Sequence, residues 1–321
     1  AVIKDRITAF DRISSNGQMS ISMTNADNVL VTDSAASATQ LATGQYSGSE
    51  MIGADKDGNT AESILEKAKK MGKSTGLVSD TRITHATPAG FAAHQSHRSQ
   101  ENAIAVDMLN NDVDVMLSGG LRYWIPKEAN DEQSVARKEL EVLTEGSVRI
   151  KSKRKDSRNL IKEAQQQDYA LAFNRSQMDK AEGKVLGLFA YSALPDGIKE
   201  TQTKNDPNRT IPTLKEMSAK AIESLSSNDN GFFLMIEAGQ IDWAAHYNDT
   251  GTMLHEMLRI NETLDYVLDW AKDRDDTVVI VTADHETGGF GFSYSANDLP
   301  HGRDLPGDVF EEQQFKPAFN F

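Results

Sequence analysis

Hydrophobic positions recur along this chain with two periods, and their order outlines a fold. Ala61, Ile64, Leu65, Ala68 and Met71 fall at helical spacing, Asn59, Thr60 and Glu62 make a capping-box-like start, and Gly72 is a stop, so a helix is predicted there. Directly after it Thr75-Gly76-Leu77-Val78-Ser79-Asp80, and later Val113-Asp114-Val115-Met116-Leu117 closed by Gly119-Gly120, read as short strands. Phe232-Phe233-Leu234-Met235-Ile236 and Val278-Val279-Ile280-Val281 are nearly continuous apolar runs, the mark of strands buried on both faces of a sheet flanked by helices. Met253, Leu254, Met257, Leu258, Leu264, Val267 and Leu268 lie between those two runs and predict a long crossover helix. The alternation is βαβ, so the fold class is α/β with parallel strands.

From Tyr123 to Ile211 the pattern changes: charge rises, residues 151–158 are basic, and Asn205-Asp206-Pro207-Asn208 breaks regularity. This span, about 123–211, reads as an insertion or cap. Pro300, Pro306 and Pro317 fall in an irregular excursion that closes the chain.

Length and composition narrow the class. The 321 residues suit one large domain or two ordinary ones, and 38% hydrophobic with 26% charged residues argues against wholesale disorder. No run approaches the ~20 apolar residues of a spanning helix, and mean hydropathy is −0.51. With 34 basic against 48 acidic residues the net charge is −14, the wrong sign for a surface that condenses on nucleic acid. Cysteine is absent, so any metal must sit on His and carboxylates. Ala1 begins without a basic and apolar leader; a secretion signal has either been removed or lies outside this piece.

Four polar clusters lie at or just beyond the ends of apolar runs, where open parallel sheets place ligands. The first is Thr32-Asp33-Ser34-Ala35-Ala36-Ser37-Ala38-Thr39, with Gly44 closing a short Ala-rich helix whose N-terminus would favour an anion near Ser34. Taken alone, Ser34 as a helix cap and Asp33 as a first-turn acid is the better reading. The second runs from Ser79 through Arg82, Thr84, His85, Ala86, Thr87 and Pro88, with His94, His97 and Arg98 following; an Arg within reach of phosphate offers two parallel donors, yet most such groups are simply surface residues. The third, Glu237 to His246, puts Asp242 and His246 at i and i+4, able to hold one divalent ion or merely to pair with each other. The fourth is Ala283-Asp284-His285-Glu286-Thr287-Gly288-Gly289, where adjacent Asp and His can serve one site only if the chain leaves the sheet. Jointly the four argue for one metal-assisted site. The Lys151, Lys153, Arg154, Lys155 run reads as a solvated face, and His255 as a packing or surface residue.

Thr32 to Thr39, Thr84-His85-Ala86-Thr87-Pro88-Ala89, Asp242-Trp243-Ala244-Ala245-His246 and Thr282 to Gly288, in this order, resemble the alkaline phosphatases, close to the marine-bacterial type, over almost the whole chain. The resemblance implies a three-layer α/β sandwich with a central, mostly parallel sheet, two zinc ions and one magnesium ion, hydrolysis of small phosphate monoesters through a phosphoserine, a homodimer, and a periplasmic or secreted location. It further implies Ser34 as nucleophile, Arg98 as the phosphate clamp oriented by Asp33, Asp242 and His246 on the first zinc, Asp284 and His285 on the second, and Thr87 and Glu237 on magnesium. The resemblance also implies that His85 and Trp243 stand at positions that vary within the family and tune the magnesium site and phosphate release. Two segments of the family pattern have no counterpart: an Asp-Gly strand end before Asp33, and a late Thr-Gly-His. The 321 residues are therefore expected to be one incomplete domain, the interior of a longer enzyme, entering a surface insertion at about 295–321, with each metal site one ligand short. The alternatives are another member of the superfamily, such as a phosphodiesterase, phosphomutase or sulfatase, and an inactive phosphate- or metal-binding fragment; Ala35 and Ala36 after the Asp33-Ser34 pair argue against a sulfatase.

Overall fold

A computed structural model describes residues 7–289. Five strands, β1 (Ser74–Arg82), β2 (Val115–Gly119), β3 (Ala170–Ala172), β4 (Val185–Leu188) and β5 (Phe232–Glu237), form one sheet in the order β3-β4-β2-β1-β5. Every ladder is parallel, as crossover helices require. Side chains alternate between its faces. Leu77, Met116 and Leu186 enter one apolar layer beneath the helices Glu101–Asn110 and Leu160–Gln166, whereas Val78, Val115, Leu117 and Val185 enter the other beneath the helix Leu214–Leu225. The result is a three-layer α/β sandwich with two cores, which explains why the strands read as continuous apolar runs.

Several details differ from the periodicity. The helix expected after Asn59 starts at Ile64, with Ser63 and Glu66 as its capping box. Asn59 is drawn instead into a turn, its N–H and amide bonded to the Asp55 carboxylate. The helix Thr250–Ala271 forms as expected, but Val278–Val281 does not become a doubly buried strand. It lies outside any ladder, with Val278 84% and Ile280 82% exposed. The physical reason lies in its partner: β5 pairs only with β1 among the described residues, so its other edge carries no neighbour and its own residues are half-buried. An apolar run supplies burial potential, but a strand exists only where a second backbone accepts its hydrogen bonds.

Within the span read as an insertion, β3 and β4 extend the main sheet beside β2. Its basic run is not uniformly solvated. Arg154 is buried, bonded to both oxygens of Asp156 and to the Asn102 and Tyr123 carbonyls, while Lys151, Lys153 and Lys155 are exposed. The expected insertion at 295–321 lies outside the described residues. Among the described residues no helix is long and apolar enough to cross a membrane.

Candidate active site

Ser34 opens the helix Ser34–Thr43, and Asp33 is its cap: the Asp33 Oδ2 accepts from the Ala35 N–H at 2.8 Å and Gly44 ends the helix in the left-handed region. No strand leads into it, because Leu30 and Val31 are exposed loop residues. Asp33 is held three times more, accepting from the Glu50 N–H at 2.8 Å and the Ser49 hydroxyl at 3.3 Å through Oδ1 and from Arg98 at 3.2 Å through Oδ2. One carboxylate thus sets both the helix start and the direction of the guanidinium.

The Ser34 Oγ lies 3.0 Å from His285 Nε2, and the Ser37 hydroxyl donates to the Asp284 carbonyl at 2.7 Å. The chain here lies outside the sheet, which lets the adjacent Asp284 and His285 face one site. His285 Nε2 is also 3.2 Å from Asp284 Oδ2, and its Nδ1 is 2.9 Å from the Glu286 carbonyl. With the Nδ1 proton on that carbonyl, Nε2 faces both the Ser34 hydroxyl and a carboxylate oxygen, a pair of donors a divalent cation could share.

Asp242 and His246 sit one turn apart on the helix Gln240–His246, 3.4 Å from each other. The Thr287 hydroxyl joins this pair to the first, donating to Asp242 Oδ1 at 2.6 Å and lying 3.2 Å from His285 Nδ1. Glu237, at the end of β5, accepts from the Ser79 and Thr81 hydroxyls. Burial lifts its carboxyl to about 7 against the bonds from Ser79 and Thr87, and the neighbouring Asp80 and Asp284 charges push the same way. A divalent ion would ionise it. Gly239 is required here, since a Cβ would come within 2.8 Å of the Glu237 carboxylate and 2.7 Å of Thr81.

His85 meets the Trp243 ring edge-on at 5.6 Å, and its Nε2 is 3.4 Å from Arg98. Burial together with the charges of Arg82, Arg98 and Arg122 holds it neutral, well below the ordinary histidine value. The Arg82 guanidinium lies 5.8 Å from the Trp243 ring centre and is neutralised by Glu101 through two bonds. These contacts bring Asp33, Ser34, His85, Thr87, Arg98, Glu237, Asp242, Trp243, His246, Asp284 and His285 into one neighbourhood beyond the carboxyl ends of β1 and β5. His94, His97 and His255 do not join it: His94 pairs with Glu66, His97 lies near Glu50, and His255 bonds Thr201.

Periodicity alone misses the group that positions the third cluster. Asp80, at the end of β1, accepts from the Gly239 and Gln240 N–H groups at 2.8 and 3.3 Å, fixing the start of the helix that bears Asp242 and His246. Its other oxygen accepts from Arg259 at 2.9 Å, and Arg259 also pairs with Glu256 and Glu200. Burial raises all three carboxyls against that one guanidinium. The legible signal was a pair of charges, Glu256 and Arg259, within an otherwise amphipathic crossover helix.

Among the described residues no three His or carboxylate side chains converge on one point. The donor chemistry nevertheless fits divalent cations: two Asp–His pairs linked by a threonine hydroxyl, and a buried carboxyl poised near neutrality. Residues 1–314 match the alkaline phosphatase family. The chain belongs to that family. It is 37% identical over 294 residues to alkaline phosphatase 4 of Bacillus subtilis (strain 168), covering 89% of this chain and 55% of the relative. The repressible alkaline phosphatase of Saccharomyces cerevisiae is also 37% identical, covering 84% of this chain and 47% of the relative. The cold-active alkaline phosphatase of a psychrophilic Shewanella superposes with a TM-score of 0.71 at 34% identity, covering 88% of this chain and 61% of that one. The chain thus spans about half the length of the curated relatives it matches. Family members include metal-bound enzymes: one alkaline phosphatase variant from the Antarctic bacterium TAB5, with a TM-score of 0.73 at 29% identity and covering 93% of this chain and 76% of that one, was solved with magnesium in its M3 site.

Proposed function

We propose that this chain carries the nucleophile and most of the metal-binding groups of a phosphomonoesterase that works through a phosphoserine on Ser34. The observation that carries this reading is the Ser34 hydroxyl, at the positive end of its helix, 3.0 Å from His285 Nε2, with Arg98 tied to Asp33 one residue earlier. The Ser34 Oγ forms a bond to phosphorus as the bond to the leaving alcohol breaks; water then cleaves the phosphoserine and releases inorganic phosphate. Arg98 offers a planar pair of donors to phosphoryl oxygens, and Asp33 keeps it oriented when phosphate is absent. His85, held neutral, adds no repulsion beside that guanidinium. Asp242 with His246 would hold one zinc, Asp284 with His285 a second, and Glu237 with Thr87 a magnesium. Those ions, when bound, supply the charge that favours the serine alkoxide and neutralises the leaving oxygen.

Family membership and the magnesium-bound relative support the metal assignment. The family also supports a homodimeric, periplasmic or secreted enzyme, which gel filtration and fractionation of the source cells test. Turnover of p-nitrophenyl phosphate at alkaline pH with zinc and magnesium added tests the activity, and the mass of the native polypeptide shows which chain performs it. No turnover by metal-loaded, full-length protein would remove the phosphatase reading and leave a phosphate- or metal-binding role.

Two further outcomes follow. Arg98→Ala should raise the inhibition constant for inorganic phosphate and lower kcat/KM, each roughly ten- to a hundredfold; unchanged inhibition would place Arg98 outside the site. Each zinc pair offers two protein ligands where a catalytic zinc ordinarily takes three. Calorimetric titration of the 321-residue chain should therefore show weak zinc binding, and tight uptake of two ions per chain would mean that other residues complete the sites.

A further inference from the structure

Beyond the groups assigned above, the connection between β2 and β3 carries two arginines, Arg122 and Arg149, with no carboxylate partner among the described residues, and both face Tyr191 in the loop after β4. Arg122 follows β2 closely; in the ladder Gly119 is the partner of Arg82, and a Cβ on Gly120 would touch the Arg82 Cβ at 3.1 Å. Arg122 is thus next to the Arg82–Trp243–His85 wall. Its guanidinium lies 5.0 Å from the Tyr123 ring centre and 5.3 Å from that of Tyr191, and Arg149 lies 5.1 Å from the same Tyr191 ring. The Arg122 Nε is buried and without a hydrogen-bond partner.

Its neighbours behave differently. Arg82 is neutralised by Glu101, and Arg98 by Asp33. In a chain of net charge −14, carboxylates are plentiful, yet two guanidiniums share one tyrosine ring without one. Cations gathered on aromatic faces and left unpaired are arranged for an anion that comes from outside. The clamp on Ser34's side already has its arginine, so these two serve a different group of the same ligand.

We propose that Arg122 and Arg149, braced on Tyr191, form a second anion subsite beside the nucleophile that selects phosphomonoesters whose leaving group bears another phosphate. This rests on the phosphatase reading but names a substrate class within it. The chemistry is unchanged: the Ser34 Oγ–P bond forms, the P–O bond to the leaving group breaks, and the second phosphate departs still attached to the alcohol. A guanidinium held on a ring loses little freedom on binding, so its donors are prepaid for phosphate oxygens.

The test compares fructose 1,6-bisphosphate with fructose 6-phosphate in the metal-loaded, full-length protein. The ratio of their kcat/KM values should favour the bisphosphate and fall about tenfold in Arg122→Gln, mainly through KM. Arg149→Gln, on an exposed residue whose loss leaves the fold intact, should move the ratio the same way by less. An unchanged ratio in both variants, or an equal fall for both sugars, would overturn the subsite. Should the wild type hydrolyse neither sugar nor p-nitrophenyl phosphate, the phosphatase reading fails. Where neither sugar is hydrolysed, calorimetry with the bisphosphate judges the subsite by itself: about tenfold weaker binding by Arg122→Gln sustains it, and equal binding removes it.

Discussion

Alanine at position 34 is expected to lower phosphomonoester turnover by on the order of 10³-fold or more in the metal-loaded protein, with the fold preserved. The side chain contributes one hydroxyl, on the first residue of a helix whose capping is done by Asp33 rather than by Ser34. Losing its single contact with His285 should cost about 1 kcal/mol of stability. Chemistry and folding therefore separate cleanly at this position. Steady-state kinetics with p-nitrophenyl phosphate, a thermal melt, and acid trapping of labelled phosphate on the protein check the three parts. The wild type should trap label and the variant should not. Turnover within tenfold of wild type, or label on the variant, would assign the nucleophile elsewhere.

The second large effect is on stability. Arg259→Met should cost about 3–5 kcal/mol at neutral pH, because it leaves buried carboxylates without their cation. Arg259 and Asp80 are almost wholly buried, Glu256 is fully buried, and Glu200 is only slightly exposed. Burial already raises the three carboxyls above their ordinary values, and the guanidinium is what restrains them. An acid raised in the folded state binds more protons there than when unfolded, so stability falls as pH climbs from its unfolded value toward its folded one. Without Arg259 the folded values rise further. The gap between variant and wild type should therefore be smallest near pH 4 and widen toward neutrality, as read by urea unfolding across that range. Because Asp80 also holds the Gly239 and Gln240 N–H groups, the start of the helix Gln240–His246 should loosen with it. A loss under about 1 kcal/mol with no pH trend would mean the cluster contributes little.

Much of the candidate site was legible because its parts are local. Asp242 and His246 are one helical turn apart, so their pairing follows from helix geometry once the helix is granted. Ser34 at a helix start and Asp284-His285 at the end of an apolar run likewise follow from neighbours in sequence. The same local logic placed β1, β2, β5 and the long helix Thr250–Ala271. It mistook the helix start, choosing Asn59 over Ser63, because a capping residue and a turn residue have the same chemistry and only the surrounding chain decides between them.

Tertiary structure decided the rest. Ser34 and His285 are 251 positions apart, and Asp80 and Arg259 are 179 apart, separations over which no periodicity speaks. Arg154 and Lys153 are adjacent in one basic run, yet one is buried against Asp156 and the other is solvated. Val278–Val281 has the composition of a buried strand and is exposed, whereas the short β3, with no strong signal, lies in the sheet beside β4. By itself, then, the sequence determined which segments are apolar, which helices are amphipathic, and which residue types could carry phosphoryl chemistry, because these depend on side chains within a turn of one another. Which strand finds a partner, which charge finds a counter-charge and which distant side chains meet depended on the packed chain, because burial and backbone pairing are supplied by residues far away in sequence.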